Sequence, residues 1–470
     1  MAISSSNSIL AMLKVYYKKE GIQNLLFRNS PVLKKIRKDR VEGKEQRFSA
    51  MHSRGGACSG SFLVAKAQAA SVGATSEFIV TPGQLYSVYT MNAKEVTASK
   101  SNAGAYMRIG GAKMFASSES LRKTFAAALY GSGYGEIAAV PSGGWSLTKD
   151  TALDIVLPED AVVKIDVGSV LTVKATLTTA ETSAVANLTV NKINGTTVNV
   201  TPDASGSASA GYIVCIAGSM NGSAPLLPVG LGGWLPVIKK RAASESGWTT
   251  YIATNFFGVN RSVATDRLAG AFYDATGAAT AATQKKSYAV TQLIKKLRRQ
   301  GSLCDMIVMN DNDFLDFAAE IEASNTYFTQ TSTKAKKEAA IGFTDISAAF
   351  STNYIENVID DPYCVAGRFY VLDTSAVEFW SYTNTDKVVN DTIEGNNPGK
   401  QDPMTMDADD KANDPLQLLV DDLFTVSGGE DTIDGPATMV TTNLFGSFVV
   451  TNPSVCGVGE FYGSTDFACA

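Results

Sequence analysis

The sequence predicts an α+β chain, and three observations carry that expectation. Residues 103–130 and 285–300 carry apolar side chains at helical spacing. From Trp145 to about residue 222 the texture changes to short alternating runs rich in Val, Thr, Ile, Gly and Asn, as in an all-β unit. Strand-like runs such as Cys304–Met309 and Arg368–Leu372 then return among helical ones. The chain has 470 residues, 45% hydrophobic and 19% charged, enough to bury a substantial core in two or three compact units or one elongated multi-lobed one.

The first 55 residues are basic, with twelve Lys or Arg against Glu20, Asp39, Glu42 and Glu45, a net of +8. Ile9, Met12, Leu13, Tyr16 and Tyr17 fall on one face of a short helix that Asn7 or Ser8 caps and Gly21 closes. The charged run Lys34–Arg40 follows Pro31. Such a segment reads as an arm that packs on something outside its own domain, or as a solvated N-terminal helix. Between Val41 and Lys66, two β-prone stretches flank a glycine-rich tip. This reads as a long hairpin with few apolar residues for a core of its own, so it projects.

Glu77–Met91 reads as two strands broken at Pro82-Gly83. Met107, Met114, Leu121, Phe125 and Leu129 then mark a helix over 103–130, with a possible kink at Gly110-Gly111. About 27 helical residues span roughly 40 Å, so this helix runs through the molecule as a spine. Gly131, Gly133 and Gly135 follow a helix and do not open one, so they read as an exit turn and not as a nucleotide loop.

Five runs make the β texture: Thr151–Val156, Val170–Thr176, Asn187–Ile193, Thr197–Val200 and Tyr212–Ile216, with a turn signal at Asn194-Gly195. They suggest a small barrel or sandwich. Beyond it, Lys285–Gln300 is an amphipathic helix with Val290, Leu293, Ile294 and Leu297 on its apolar face. Cys304–Met309 is a buried strand, and Asn310-Asp311 opens the next helix. A strand pair around Val358 and at Arg368–Leu372 brackets Asp360-Asp-Pro-Tyr363. From Ser381 to Gly435 thirteen acids meet Lys387, Lys400 and Lys411, a net of −10. Asp407, Asp409 and Asp410 lack calcium-loop spacing, so the stretch reads as a solvated acidic loop. Strands resume at Thr441–Val450.

Composition excludes several functions. The formal net charge of −5 is too mild for a nucleic-acid reader by bulk charge. The single histidine, His52, sits in a polar, glycine-rich stretch and reads as a solvated loop residue, which leaves no His base for a triad and no imidazole set for zinc. Cys58, Cys215, Cys304, Cys364, Cys456 and Cys469 form no CxxC pair, so they read as reduced thiols. No nucleophile elbow, P-loop or zinc motif is present. The start does not read as a signal peptide, and no apolar run is long enough to span a membrane. The chain is therefore expected not to be an enzyme, with no catalytic, cofactor-binding or metal-binding residue and no cofactor.

The order of these elements resembles the major capsid proteins of tailed phages, the Hong Kong 97-type fold. Local phrases are similar too: Phe257-Gly-Val-Asn-Arg261, Arg298-Arg-Gln-Gly301 before Asp305-Met-Ile-Val-Met-Asn310, Asp360-Asp-Pro362 and Phe369-Tyr-Val-Leu-Asp373. The resemblance spans most of the chain. It implies an N-terminal arm (1–37), an extended hairpin loop (38–76) and a peripheral domain with the spine helix (77–144). An inserted β domain (145–222) and an axial domain with its connections (223–380) follow, and then an acidic loop with C-terminal strands (381–470). Some members cross-link subunits through a loop lysine. Lys44 lies in the corresponding segment, but no partner Asn or Glu is identified, so it reads as an unlinked surface lysine.

The function this implies is self-assembly into hexamers and pentamers of an icosahedral shell around double-stranded DNA, in a virion capsid made in the host cytoplasm. Implied partners are other copies of the chain, portal and scaffolding proteins, and DNA held without sequence preference, with no membrane. The basic arm either pairs with the acidic loop of a neighbour or faces the genome. The rivals are an encapsulin-like compartment, an enzyme, and another virion structural protein.

Overall fold

The computed structural model describes residues 31–40, 45–53, 58–68, 73–92, 120–121, 123–222, 224–237, 255–278, 280–324, 346–350, 353–381 and 437–463. The arm helix near Asn7–Gly21, Lys44, the hairpin's middle at 54–57, the first part of the spine with Gly110-Gly111, the acidic stretch 382–436 and Cys469 lie outside them.

Among the described residues, three sheets have four or more strands. The first has four strands in the order Arg37–Arg40, Val377–Ser381, Ala437–Val450, Gly83–Asn92. Its highly charged edge strand, Arg-Lys-Asp-Arg, pairs parallel to Val377–Ser381, with Arg40 opposite Ser381. Charge on an edge strand discourages unwanted pairing with other chains. Gly446 is required by contact, since a Cβ there would stand 2.5 Å from the Phe379 ring.

The spine segment is helical at 120–121 and 123–128. Phe125 packs between Phe379 (centroids 5.2 Å) and Phe448 (5.3 Å) and so seats the segment on this sheet. The helix stops at the glycine exit turn, where Gly131 donates its N–H to Ala128 O at 3.1 Å. Trp234 is fully buried in the same core and donates Nε1–H to Phe448 O at 2.7 Å. Arg261, also fully buried, donates to Trp234 O at 3.0 Å and lies 3.7 Å over the Phe256 ring. The contact on its face and the hydrogen bond to Trp234 O offset part of the cost of burying this guanidinium.

The second sheet has six antiparallel strands in the order Glu136–Ala139, Ile213–Ile216, Val170–Lys174, Ala186–Asn194, Thr197–Pro202, Leu153–Val156. Alternation decides its inner face. Leu171, Val173, Leu188, Val190, Val198 and Val200 point into a core of their own, separate from that around Trp234. Asn194 pairs with Thr197, and Gly195 at φ 59° heads the two-residue turn between them. All five runs expected from the sequence join this one sheet. Its edge strand, Glu136–Ala139, starts before the expected boundary at Trp145: Ile137, Ala138 and Val140 belong to this core although they follow the exit turn directly. The strands of this sheet therefore run from Glu136 to Ile216.

The third sheet orders Ala271–Asp274, Gly457–Glu460, Arg368–Leu372, Met306–Met309, Asn353–Asp360, Ile346–Phe350. Met306, Val308, Tyr370 and Leu372 face the Trp234 core, while Ile307, Met309, Phe369 and Val371 face helices Lys286–Arg298 and Asp311–Ser324. The strands around Val358 and at 368–372 are not a pair. Met306–Met309 lies between them, parallel to the first and antiparallel to the second. An alternating run does not reveal its partner, which is why the sequence suggested direct pairing. Between these strands Asp361 is fully buried and accepts from Tyr130 Oη at 2.8 Å, tying the spine exit to this sheet. Burial, then the Asp361 charge, pushes the Tyr130 hydroxyl well above its usual 10.

Candidate functional site

The described residues hold no group of three or more His, Cys, Asp or Glu suited to a metal ion. The described cysteines form no disulfide with one another, and all but the exposed Cys58 are buried. Burial raises the thiols of Cys304 and Cys364, and that of Cys456 to about 12. Thiols held neutral in this way are poor nucleophiles. His52 is half-buried beside the hairpin, its Nδ1 3.3 Å from Ser76 Oγ. No described helix is long and apolar enough to cross a membrane.

What the fold does present is a surface device, the hairpin. Gln46–Met51 pairs antiparallel with Thr75–Val80, with Phe48 opposite Phe78 and Met51 opposite Thr75. Period two then puts Phe48 and Phe78 on one face, where their rings stack at 5.1 Å and 16°. The pair anchors the base in the body: Phe48 lies 5.8 Å from Trp380, edge to face, and Phe78 lies 5.3 Å from Trp234.

The body grips the backbone as well. Ile79 N donates to Phe257 O at 3.0 Å. That carbonyl belongs to the tight turn Phe256–Val259, where Phe257 (φ 49°) and Gly258 (φ 82°) are both left-handed. Phe257 holds this uncommon geometry with its ring 5.5 Å from Trp234. Farther out, His52 N and Ser53 N both donate to Ala74 O, and the Arg267 guanidinium donates to His52 O.

Beyond this neck the expected second strand is absent. Phe62–Gln68 is a helix, and the partner of the first strand is Thr75–Val80. Ala, Leu, Lys and Gln are strong helix formers, and Phe-Leu-Val-Ala-Lys-Ala-Gln holds five residues of these types, which outweighs the β-prone start. The helix shows its apolar residues to solvent: Phe62 is 78% exposed, Leu63 77% and Val64 46%. A seven-residue helix is not stable in water on its own strength, and fully burying each such side chain is worth about 1.5–3 kcal/mol. The sequence signal for the helix was Ser61 ahead of the alanine-rich run, since Ala65 N donates to Ser61 O at 3.0 Å.

No family model matches the sequence, and no curated protein matches it. Among solved structures, the chain is similar to the capsid asymmetric unit of cyanophage A-1(L), at 10% identity and a TM-score of 0.49 over 93% of each chain. It is also similar to a structure from Mycobacterium phage Ogopogo, at 10% identity and a TM-score of 0.38 over 95% of this chain and 94% of that one. A third is the holo-SrpI encapsulin complex of Synechococcus elongatus PCC 7942, at 7% identity and a TM-score of 0.36 over 92% and 89%.

Proposed function

We propose that this chain is a shell protein, the major capsid protein of a tailed phage with the Hong Kong 97-type fold, and that it acts by assembly and not by catalysis. The observation that carries the reading is the hairpin: a stalk locked into the aromatic core at its base, with an apolar helix left in solvent at its tip. In a subunit that lives alone this arrangement is a liability. In a shell, the tip lies over the adjacent subunit.

The order of elements supports the same reading. Spine segment 120–128 crosses one sheet and meets a second through Tyr130 and Asp361, the β unit hangs from the spine exit as an inserted domain, and helix-backed strands form the axial part. On this reading the chain forms hexamers and pentamers that close into an icosahedron around double-stranded DNA, with scaffolding and portal proteins as partners and the host cytoplasm as the place of assembly.

Sedimentation and negative-stain microscopy of the purified chain, with and without a candidate scaffold, test this. Shells or five- and six-fold rings are expected, and a persistent folded monomer in both conditions would overturn the reading. Shells that carry protein cargo and no nucleic acid would assign the chain to encapsulin-like compartments instead. Deleting residues 1–37 is expected to block correct closure, and normal shells from that variant would remove the arm from the mechanism.

A further inference from the structure

A groove of about 400 Å³ lies where three elements meet: strand Gly83–Asn92, the spine segment and the β unit. Its lining is mixed. Leu85, Leu171 and Leu227 are apolar, while Lys123, Lys164 and Asp166 carry charge. Tyr86 and Val170, also lining residues, are 53% and 41% exposed, so the groove opens to solvent.

The two lysines are not equivalent. Lys123 of the spine braces one wall, its Nζ 2.7 Å from Asp166 of the β unit, so its charge is met by direct contact. Lys164 is buried, its side chain 4% exposed, and Asp160, the carboxylate that faces it, stands 3.8 Å from Nζ. That is a charge contact longer than a hydrogen bond. An ammonium carries three donors, and burying them without acceptors is costly. Lys164 therefore offers donors to whatever enters the groove.

We propose that the groove binds a small amphiphile with one carboxylate head and an alkyl body, the head on Lys164 and the body against Leu85, Leu171 and Leu227. The lining residues carry two positive charges and one negative, which matches a guest with a single negative charge. A neutral apolar guest would seal the Lys164 donors against hydrocarbon, and a bare inorganic ion would leave the leucines facing water. An alkyl carboxylate meets both needs. Ligand pockets start at about 300 Å³, so the volume suits a chain of roughly eight carbons. The site lies within one copy and goes beyond the shell reading, since a lone subunit carries it too. A guest there touches the sheet, the spine and the β unit at once, and so ties the β unit to the body.

Titration calorimetry of the purified full chain with hexanoate, octanoate and decanoate tests this. One site per chain is expected, with affinity rising about fourfold per added methylene until the groove is filled. Octanol is expected to bind more weakly than octanoate. Lys164→Met keeps the length of the side chain and removes its charge. It is expected to lower octanoate affinity about tenfold and to leave octanol unchanged. Where that variant fails to fold, Val170→Glu replaces it: Val170 is a half-exposed lining residue, so the change sets a repelling carboxylate at the groove without opening a core, and a similar loss is expected. Phe62→Ser with Leu63→Ser, which strips the exposed tip helix, is expected to bind octanoate as the parent does. No saturable binding at millimolar octanoate would overturn the proposal. So would equal affinities for octanoate and octanol, an affinity that the groove variants leave unchanged, or one that the tip variant abolishes.

Discussion

The β unit and the hairpin are both β-rich projections of the same chain, yet they bury their side chains in opposite ways. The β unit closes on itself: Leu188, Val190, Val198 and Val200 are essentially inaccessible, and its outer face is laced by side-chain hydrogen bonds such as Asn199 Nδ2 to Asp154 Oδ1 at 2.6 Å. The hairpin has two strands, too few for a core. It borrows one at its base from Trp234 and Trp380 and leaves its tip unsatisfied. A projection with its own core adds stability within one chain, whereas one without a core leaves apolar surface in solvent.

Substitutions sharpen that contrast. The largest loss of stability is expected from Leu188→Ala in the β unit, about 2–5 kcal/mol for a fully buried leucine, read as a drop in the urea midpoint. A smaller change of the midpoint would show that the unit relaxes around the cavity.

Alkaline pH probes the Trp234 core next. The Cys456 thiol is pushed by burial to about 12, above its ordinary 9. Below pH 9 the thiol is neutral in both states and the core keeps its full stability. Between 9 and 12 the unfolded thiol ionises while the folded one does not, so stability falls as pH rises. Cys456→Ala is expected to flatten urea midpoints measured across that window, and an unchanged slope would show that other groups set it.

The brace between spine and β unit should matter less. Lys123 and Asp166 side chains are 25% and 47% exposed, so Lys123→Ala is expected to cost no more than about 1 kcal/mol, and less in high salt. The smallest effect on stability falls at the tip: Phe62→Ser with Leu63→Ser should leave the midpoint of the isolated chain within about 0.5 kcal/mol, because no described residue covers them. A large destabilisation there would mean that the tip packs on its own subunit.

The same division explains what was legible in the sequence. The β unit's strands and helix Lys286–Arg298 show their period along the chain, because each buries one face against neighbours of its own unit. The break at Pro82-Gly83 was equally plain. Strand Glu136–Ala139 was hidden by its brevity and by the glycines just before it. The tip helix was hidden because its apolar residues do not alternate with a core they never meet.

The two strands through which the chain enters and leaves the β unit are hydrogen-bonded neighbours, with Cys215 opposite Glu136 and Ile216 N donating to Gly135 O at 2.8 Å. Entry and exit therefore lie one strand spacing apart, about 5 Å. A module attached this way can be gained or lost in a single genetic event, since a short loop between Gly135 and Ala217 would reconnect the remaining chain without re-routing it. The same doorway would accept a foreign domain whose termini lie equally close together, which makes it a natural place to graft a passenger onto the chain.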